Sequence, residues 1–279
     1  MPDGPPLGTR FELGDAVTDV QRAFLDEHGF VVFRGVVRPA EIAALMAELD
    51  RLNALWAGEG KASHFGIPIV WGRDAEGRPW VQRFCFTSLF SDVWRDFVHD
   101  ARFAPVRALI GEHVRVGDRE KDGVVVNRYI RAPGSVAADL GWHTDGLRDL
   151  FYGRMPARML NVGVHFDRCT EAEGGLRLIP GTHRQGFGSM CFRKLYFVSH
   201  APDPDEIVIE TEPGDLTVHD GRLWHRVARA RVTGAASIRR TMYVPYLTDP
   251  VVEIKHEGSP TPAYHRLGVA LRRLGLLGR

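Results

Sequence analysis

From about residue 113 onward, the chain is a series of short segments rich in β-branched and aromatic residues, interrupted by glycine and proline. These segments are residues 124–130, 159–166, 176–179, 206–211, 216–219 and 238–246. Many short strands at such spacing are typical of a β-sandwich or a β-barrel. The pattern therefore predicts a mainly β fold.

Helical periodicity is confined to three other segments, residues 15–28, 39–56 and 264–277. Gly29 is expected to end the first helix, and Pro39 suits the first turn of the second. A strand is predicted between these helices at residues 30–36. We interpret residues 57–80, which carry many glycines, as a long loop near a site or as a surface flap. The last helix is expected to serve core or oligomer packing.

The length of 279 residues suits one large domain, so we expect a single domain over residues 1–279. Residues 1–15 are rich in proline and glycine and predict a loose leader, while residues 251–279 form a C-terminal tail. The 36 basic and 35 acidic side chains leave a net charge of +1. Because this balance creates no overall field, neither nucleic acid nor a membrane surface is expected as a partner.

Cysteine usage and the N-terminal sequence bear on the cellular compartment. Cys85, Cys169 and Cys191 are odd in number and widely spaced, which fits neither a disulfide framework nor a zinc knuckle. The chain also lacks a signal-like N-terminal segment and any apolar run long enough to cross a membrane. We therefore expect a cytoplasmic protein with reduced thiols, and the oligomeric state stays open.

Residues 141–146 contain the most informative pair of polar residues in the chain. His143 and Asp145 stand two positions apart at the end of a presumed strand. Residues i and i+2 on a strand point to the same side, so an imidazole and a carboxylate can bind one ion together. Ligands of this kind suit Fe(II) in a facial triad, which leaves positions for substrate and O₂. Alone, the triplet is equally consistent with a hydrogen-bonded turn.

A facial triad needs a third ligand from a strand that folding brings alongside. Residues 214–227 contain two histidines, His219 and His225. A lone histidine in a β segment is more often structural than a metal ligand. The residues alone therefore leave both histidines open.

A 2-oxoglutarate site would need a basic side chain as well as the metal. This acid chelates a metal through its keto-acid end, so its distal carboxylate requires a partner that binds it bidentately, and arginine suits this task. Arg239 and Arg240 follow the second histidine segment. A solvated pair on an edge strand is an equal alternative for two adjacent arginines.

Five motifs in order resemble the phytanoyl-CoA dioxygenase-like family of Fe(II)/2-oxoglutarate oxygenases. They are EHGFVVFRGV at 27–36, WHTD at 142–145, EGGLRLIPGTH at 173–183, PGD at 213–215, and the His225 segment followed by an arginine-bearing strand. The resemblance extends over roughly residues 15–250. The order of the five motifs is far more specific than any one of them.

The resemblance implies a double-stranded β-helix, a jelly roll with the metal in its mouth and the N-terminal helices outside. It implies Fe(II), 2-oxoglutarate and O₂, with hydroxylation of a small molecule's C–H bond as the default reaction and succinate and CO₂ as co-products. It selects His225 over His219 as the metal ligand beside His143 and Asp145. The carboxylate of Asp145 favours an oxygenase over the family's halogenases, which have a small residue there. Desaturation, cyclisation and epimerisation stay open.

The resemblance also indicates residues for the co-substrate. It places the 2-oxoglutarate arginine shortly after the distal histidine, which makes Arg239 the first choice and Arg240 the alternative. The family's strand equivalent to residues 124–130 lines the co-substrate pocket. Asn127 and Tyr129 share one face of this strand, so either could contact 2-oxoglutarate. For Tyr129, core packing is an equal alternative.

The substrate is indicated only by a mixture of cationic and aromatic residues around the presumed mouth: Arg148, Phe151, Tyr152, Arg154, Arg158, Phe192, Arg193, Lys194, Tyr196 and Phe197. Such a mixture could bind an anionic small molecule with an apolar body, or it could be a solvated face. The alternative function is a non-catalytic or 2-oxoglutarate-independent jelly-roll protein that binds a metal or ligand.

Overall fold

Fifteen strands and six α-helices lie within residues 4–111, 113–251 and 254–273, which the computed structural model describes. The strands are β1 (Arg10–Phe11), β2 (Phe30–Phe33), β3 (Ser63–His64), β4 (Ile67–Pro68), β5 (Val70–Arg73), β6 (Pro79–Phe84), β7 (Arg115–Val116), β8 (Val125–Tyr129), β9 (Leu140–His143), β10 (Met159–His165), β11 (Gly175–Leu178), β12 (Ile207–Val208), β13 (Leu216–Asp220), β14 (His225–Ala228) and β15 (Arg239–Leu247). The helices are α1 (Asp19–His28), α2 (Pro39–Gly58), α3 (Asp92–Val98), α4 (Ala104–Arg107), α5 (Phe187–Phe192) and α6 (Ala263–Arg273).

The strands form two main sheets, and from β8 onward the chain alternates between them except that β11 and β12 both lie in the smaller sheet. The larger sheet has the order β1-β2-β13-β10-β15-β8-β6-β5, with β7 also pairing with β15. The smaller sheet has the order β12-β11-β14-β9. This alternation is the double-stranded β-helix that the motifs imply, and the prediction of a mainly β jelly roll is confirmed.

The larger sheet separates an apolar outer side from a polar interior. Along β15, Met242 and Val244 join the hydrophobic cluster that also contains the buried residues of α1 and α2. On β10, Val162 and Val164 do the same. Because side chains alternate across a strand, the intervening residues face the space between the two sheets. Packing of the helices therefore determines which residues line the interior.

The N-terminal helix begins later than its periodicity predicts. Thr18 caps α1 with a capping box that includes Gln21, so the helix starts at Asp19 and not at residue 15. It ends as predicted at Gly29, whose φ is 81°. A Cβ at Gly29 would lie 2.4 Å from His183 Nδ1, so the position requires glycine for contact as well as for conformation.

Two segments predicted to be irregular contain strands. Residues 57–80 include β3, β4, β5 and the start of β6, and β6 pairs with β8 at the edge of the larger sheet. The leader over residues 1–15 includes β1, which pairs in parallel with β2. Arg10 in this strand forms an ion pair of 2.6 Å with Asp215. β6 and β1 thus join the larger sheet through strands that local composition does not reveal, whereas β3 and β4 pair with each other.

The predicted tail helix is present as α6, and residues 274–277 of the prediction lie outside the described part of the chain. Its position, described below, is at the mouth of the jelly roll. None of the helices within the described residues has the length and apolar character that a membrane crossing demands.

Candidate metal centre

The two sheets bring His143, Asp145 and His225 together. His143 ends β9 and is the direct cross-strand partner of His225, the first residue of β14. Asp145 follows two positions after His143, where a 3₁₀ turn begins. One ligand atom from each side chain lies within 4.8 Å of the other two, and all three residues are buried. The structure thus places the three predicted ligands around one point.

Two tryptophans hold these histidines toward the interior. Trp142 and Trp224 each precede a histidine and form a small buried cluster with Ile179. The Trp142 indole N–H donates to the Ala201 carbonyl at 2.8 Å. Since neighbouring side chains on a strand point to opposite faces, burying both indoles outside the smaller sheet turns both imidazoles inward.

Hydrogen bonds to backbone carbonyls select the tautomer of each histidine. His143 Nδ1 lies 2.8 Å from the Gly141 carbonyl, and His225 Nδ1 lies 3.0 Å from the Leu223 carbonyl. A carbonyl can only accept, so each Nδ1 carries the proton and each Nε2 keeps its lone pair. His225 Nε2 lies 3.7 Å from Asp145 Oδ2. This is the arrangement in which two imidazoles and a carboxylate can hold a divalent cation.

Asp145 receives two further contacts that orient its carboxylate. Asn161 on β10 donates to Oδ2 at 2.8 Å, and Arg148 donates to Oδ1 at 3.2 Å. Burial opposes ionisation of Asp145, but Arg148 and His219 outweigh it and hold the pKa of the carboxyl well below its usual range. Sequence analysis gave neither Arg148 nor Asn161 this role. Two features of the sequence could have indicated these roles. Asn161 shares a strand face with His165, and Arg148 lies three residues after Asp145.

The protonation states of the three residues suit metal binding. Burial lowers the pKa of His143 to about 4 despite the opposing charge of Asp145, and burial lowers the pKa of His225 well below its usual value. Both histidines are therefore neutral and Asp145 is ionised near neutral pH. Metal ligands must be in these protonation states, so the residues fit a divalent cation such as Fe(II).

The metal-free protein is expected to lose stability between pH 7 and pH 5. Burial lowers the pKa of both His143 and His165 to about 4, whereas unfolded histidines titrate near 6.5. The unfolded state therefore binds protons first as the pH falls, and stability present above about 6.5 is lost toward 4. Each histidine should contribute on the order of 2 kcal/mol to the difference at pH 5. Denaturant unfolding at both pH values measures it.

A His165→Asn variant provides the control for this titration. His165 Nε2 lies 3.1 Å from Thr217 Oγ1, a contact that an amide can keep without titrating. The variant should show a smaller loss of stability than the wild type over the same pH range. Equal unfolding free energies at pH 7 and pH 5 for the wild-type protein would contradict the assignment of buried neutral histidines.

His219, the alternative third ligand, lies beside the triad. Its Nε2 is 3.7 Å from Asp145 Oδ2, and its ring centroid is 4.6 Å from that of His225. Neither of its ring nitrogens has a hydrogen-bond partner among the described residues. His219 does not belong to the compact group formed by His143, Asp145 and His225. The selection of His225 as the ligand stays a prediction that this geometry favours.

Arg239 lies inside the jelly roll, opposite Tyr129 of β8. Only 2% of its surface is exposed. Its Nη1 donates to the Glu173 and Ala228 carbonyls, and its Nη2 donates to the Ala138 carbonyl at 3.0 Å. Nε has no partner, and among the described residues no acidic side chain forms an ion pair with this guanidinium. Three of five N–H groups are thus used, which leaves the edge formed by Nε and Nη2 available to an anion.

Arg240 faces the opposite way. It binds Asp167 with contacts of 2.6 and 2.9 Å, and its side chain is 32% exposed. Thr241 shares the inward face with Arg239, and its Oγ1 is buried without a partner. The register of β15 is therefore the one that the choice of Arg239 over Arg240 requires. The binding of 2-oxoglutarate by Arg239 stays a prediction.

A cavity of 280 Å³ connects the metal centre with Asn127 and Tyr129. Burial raises the pKa of Tyr129 to about 12, and the Arg239 guanidinium lies 5.4 Å from the centre of its ring. Tyr129 is thus both a packed residue and a lining residue. Its contact with 2-oxoglutarate, like that of Asn127, stays a prediction.

Most of the cationic and aromatic residues predicted to surround the mouth do not line the cavity. Only Arg148 and Phe197 of that set line the cavity. Lys194 instead pairs with Asp203 at 2.6 Å, and Arg158 pairs with Asp26 at 3.2 Å. Acidic residues thus bind both cations, and the side chain of Arg158 is 43% exposed whereas that of Lys194 is 13% exposed. An anionic subsite formed by this set stays a prediction, since Arg148 is its one cation that lines the cavity.

Comparisons with known proteins agree with this geometry. The sequence model of phytanoyl-CoA dioxygenase (PhyH) matches residues 25–240. An ectoine dioxygenase of Bordetella parapertussis is 26% identical over 221 residues, which cover 76% of this chain and 67% of that relative. A dioxygenase named af480 from Aspergillus fumigatus is 28% identical over 212 residues, covering 73% of this chain and 59% of that protein.

Solved structures show the same fold. AviO1 from Streptomyces viridochromogenes has a TM-score of 0.60 at 22% identity, covering 84% of this chain and 96% of AviO1. HygX from Streptomyces hygroscopicus with iron bound has a TM-score of 0.59 at 19% identity, covering 90% of this chain and 94% of HygX. HygX has also been solved with nickel and 2-oxoglutarate bound.

Proposed function

This chain belongs to the phytanoyl-CoA dioxygenase (PhyH) family of 2-oxoglutarate-dependent dioxygenases, and we propose that it hydroxylates a C–H bond of a small molecule at an iron held by His143, Asp145 and His225. One observation carries the proposal. A buried pair of neutral imidazoles and an ionised carboxylate line one cavity with Asn127 and Tyr129, and the Tyr129 ring lies against a buried arginine that has no acidic partner among the described residues. A metal with a dicarboxylate co-substrate fits this combination of groups.

The iron and the co-substrate supply the oxidising power that no protein side chain provides. The overall reaction consumes substrate, 2-oxoglutarate and O₂ and yields hydroxylated substrate, succinate and CO₂, with one oxygen atom entering each organic product. The chain's own residues position the reactants and exclude water.

The roles of the protein groups follow from their contacts. His143 and His225 offer Nε2 lone pairs, because their Nδ1 protons are held by carbonyls. Asp145 offers one oxygen while Arg148 holds the other. The free edge of Arg239 binds the distal carboxylate of 2-oxoglutarate in a charge-assisted bidentate contact.

The cavity indicates a compact substrate. Its 280 Å³ lie just below the range of about 300–1,000 Å³ that pockets for drug-sized ligands occupy. The co-substrate must share this space, so a coenzyme A thioester would not fit inside it. The curated relative is named for ectoine, a small molecule, which agrees with a small substrate here.

Anaerobic addition of Fe(II) and 2-oxoglutarate is expected to produce a visible metal-to-ligand charge-transfer band, and admission of O₂ is expected to produce succinate slowly without any primary substrate. The reason is that the triad can hold the metal and that Arg239 keeps N–H groups without a partner among the described residues. Spectrophotometry and quantification of succinate measure both outcomes. A metal-binding protein that does not use 2-oxoglutarate would load iron and show neither signal, which would contradict the proposal.

A further inference from the structure

The C-terminal helix α6 lies across the cavity that contains the metal centre. Tyr264, His265 and Gly268 from this helix line the cavity together with His143 and Asp145. The proposed role of the triad involves no residue of α6 and does not account for the position of this helix.

Close backbone contacts position the segment that leads into α6. The Lys255 amide donates to the Arg119 carbonyl at 2.8 Å. A Cβ at Gly66 would lie 2.4 Å from the Ser259 carbonyl oxygen, so the tail passes a glycine at a distance that a side chain would prevent. The contact with Gly66 joins the tail to the β3–β4 hairpin.

Asp122 connects α6 to the rest of the site. This buried carboxylate accepts hydrogen bonds from Tyr264 Oη at 2.8 Å and from His265 Nε2 at 3.0 Å through Oδ1. Its Oδ2 accepts from Arg83 at 2.7 Å and from Arg148 at 3.1 Å. Hydrogen bonds to an ionised group are about twice as strong as neutral ones, so this cluster holds the helix specifically.

The same cluster reaches the metal ligand. Arg148 bridges Asp122 and Asp145, with Nη2 lying 3.2 Å from Asp145 Oδ1. Tyr264 also packs on the 3₁₀ turn that begins after Asp145, with its ring centroid 5.9 Å from that of Phe151. The position of α6 and the orientation of a metal ligand are therefore set by one connected group of side chains.

We propose that α6 is the outer wall of the substrate chamber, and that Tyr264, His265 and Gly268 are specificity-determining residues that limit the chamber to small molecules enclosed between the helix and the metal. This inference rests on the proposed function, because it takes the triad as the reaction centre. The contacts of Tyr264 and His265 with Asp122 hold this wall in place.

Removal of bound Fe(II) by chelators of two sizes tests the wall without requiring the substrate. The full-length protein is loaded anaerobically with Fe(II), and removal by bipyridine is compared with removal by the bulkier bathophenanthroline. We expect bipyridine to remove iron at least about tenfold faster from the wild type. The variant Tyr264→Phe/His265→Ala loses two hydrogen bonds to the buried carboxylate of Asp122. In this variant, the rates of iron removal by bipyridine and by bathophenanthroline should differ by no more than about twofold.

Two further variants distinguish an effect on the α6 wall from a general loss of protein stability. Arg266→Ala changes an exposed residue of the same helix and should keep the wild-type ratio. Gly268→Leu adds a side chain where a Cβ meets no atom within 4 Å, and it leaves every contact of Asp122 in place. Since Gly268 lines the cavity, leucine should narrow the chamber and slow removal by bipyridine about tenfold.

The outcomes distinguish this inference from the proposed function. A wild-type protein that binds Fe(II) but releases it to both chelators at equal rates would contradict the proposal that α6 is the outer wall of the chamber. The same conclusion would follow if Gly268→Leu matched the wild type with bipyridine. If the wild type bound no iron at all, the proposed function itself would be overturned.

Discussion

Replacing His225 with alanine is expected to abolish turnover and to weaken iron binding by more than about 100-fold. The variant loses one of the three residues proposed to hold the metal, and even loss of groups that merely orient ligands costs about 10- to 100-fold in metal affinity. His143→Ala should behave the same way, because the two imidazoles are cross-strand partners in one site. Iron content after anaerobic loading and the charge-transfer band in the presence of 2-oxoglutarate measure the effect.

His219→Ala is the matched control for the ligand variants. His219 is as buried as His225 and lies close to the same carboxylate, but it is outside the group of ligand atoms. We expect this variant to keep most of its iron. Loss of iron from His219→Ala together with retention by His225→Ala would reverse the assignment of the third ligand.

Replacing Arg239 with methionine is expected to raise the 2-oxoglutarate concentration required for turnover by two or more orders of magnitude, while iron binding persists. The variant removes a buried cation that pairs with no acidic group in the part of the chain that the structure describes. Each hydrogen bond to a charged group contributes about 1.5–3 kcal/mol, and a bidentate contact contains two. Titration of 2-oxoglutarate, followed by the charge-transfer band, measures the change.

Two other variants make this experiment specific. Arg240→Met removes an adjacent arginine that binds Asp167 on the outer side, so the 2-oxoglutarate requirement should change little. Arg239→Lys keeps the charge but loses the planar edge, so its defect should be intermediate. A larger defect in Arg240→Met than in Arg239→Met would show that the co-substrate carboxylate binds elsewhere.

The architecture explains why one face of each strand matters for this chemistry. Trp142 and Trp224 are buried outside the smaller sheet, and Met242 is buried outside the larger one. These apolar contacts fix the register of β9, β14 and β15. A register slip of one residue would exchange Trp142 for His143 in the interior and remove the site.

Several features could be predicted from sequence because they are encoded locally. Short segments rich in β-branched and aromatic residues indicated most strands from residue 113 onward, and the i, i+2 spacing indicated that His143 and Asp145 share a face. The order of five motifs indicated the family, which the match over residues 25–240 confirms. The resemblance made Arg239 the first choice over Arg240, and the alternation of a strand allows only one of the two to face inward.

The tertiary structure alone decided the features that depend on contacts between distant segments. β6 pairs with β8, and β1 pairs with β2, so both strands join a sheet through partners that local composition does not indicate. Asp122 meets His265 across 143 positions of sequence, a separation at which spacing carries no signal. Sequence patterns report which face of an element is buried, whereas the partner across that face is chosen by packing of the whole chain, and it is this packing that places α6 over the metal centre.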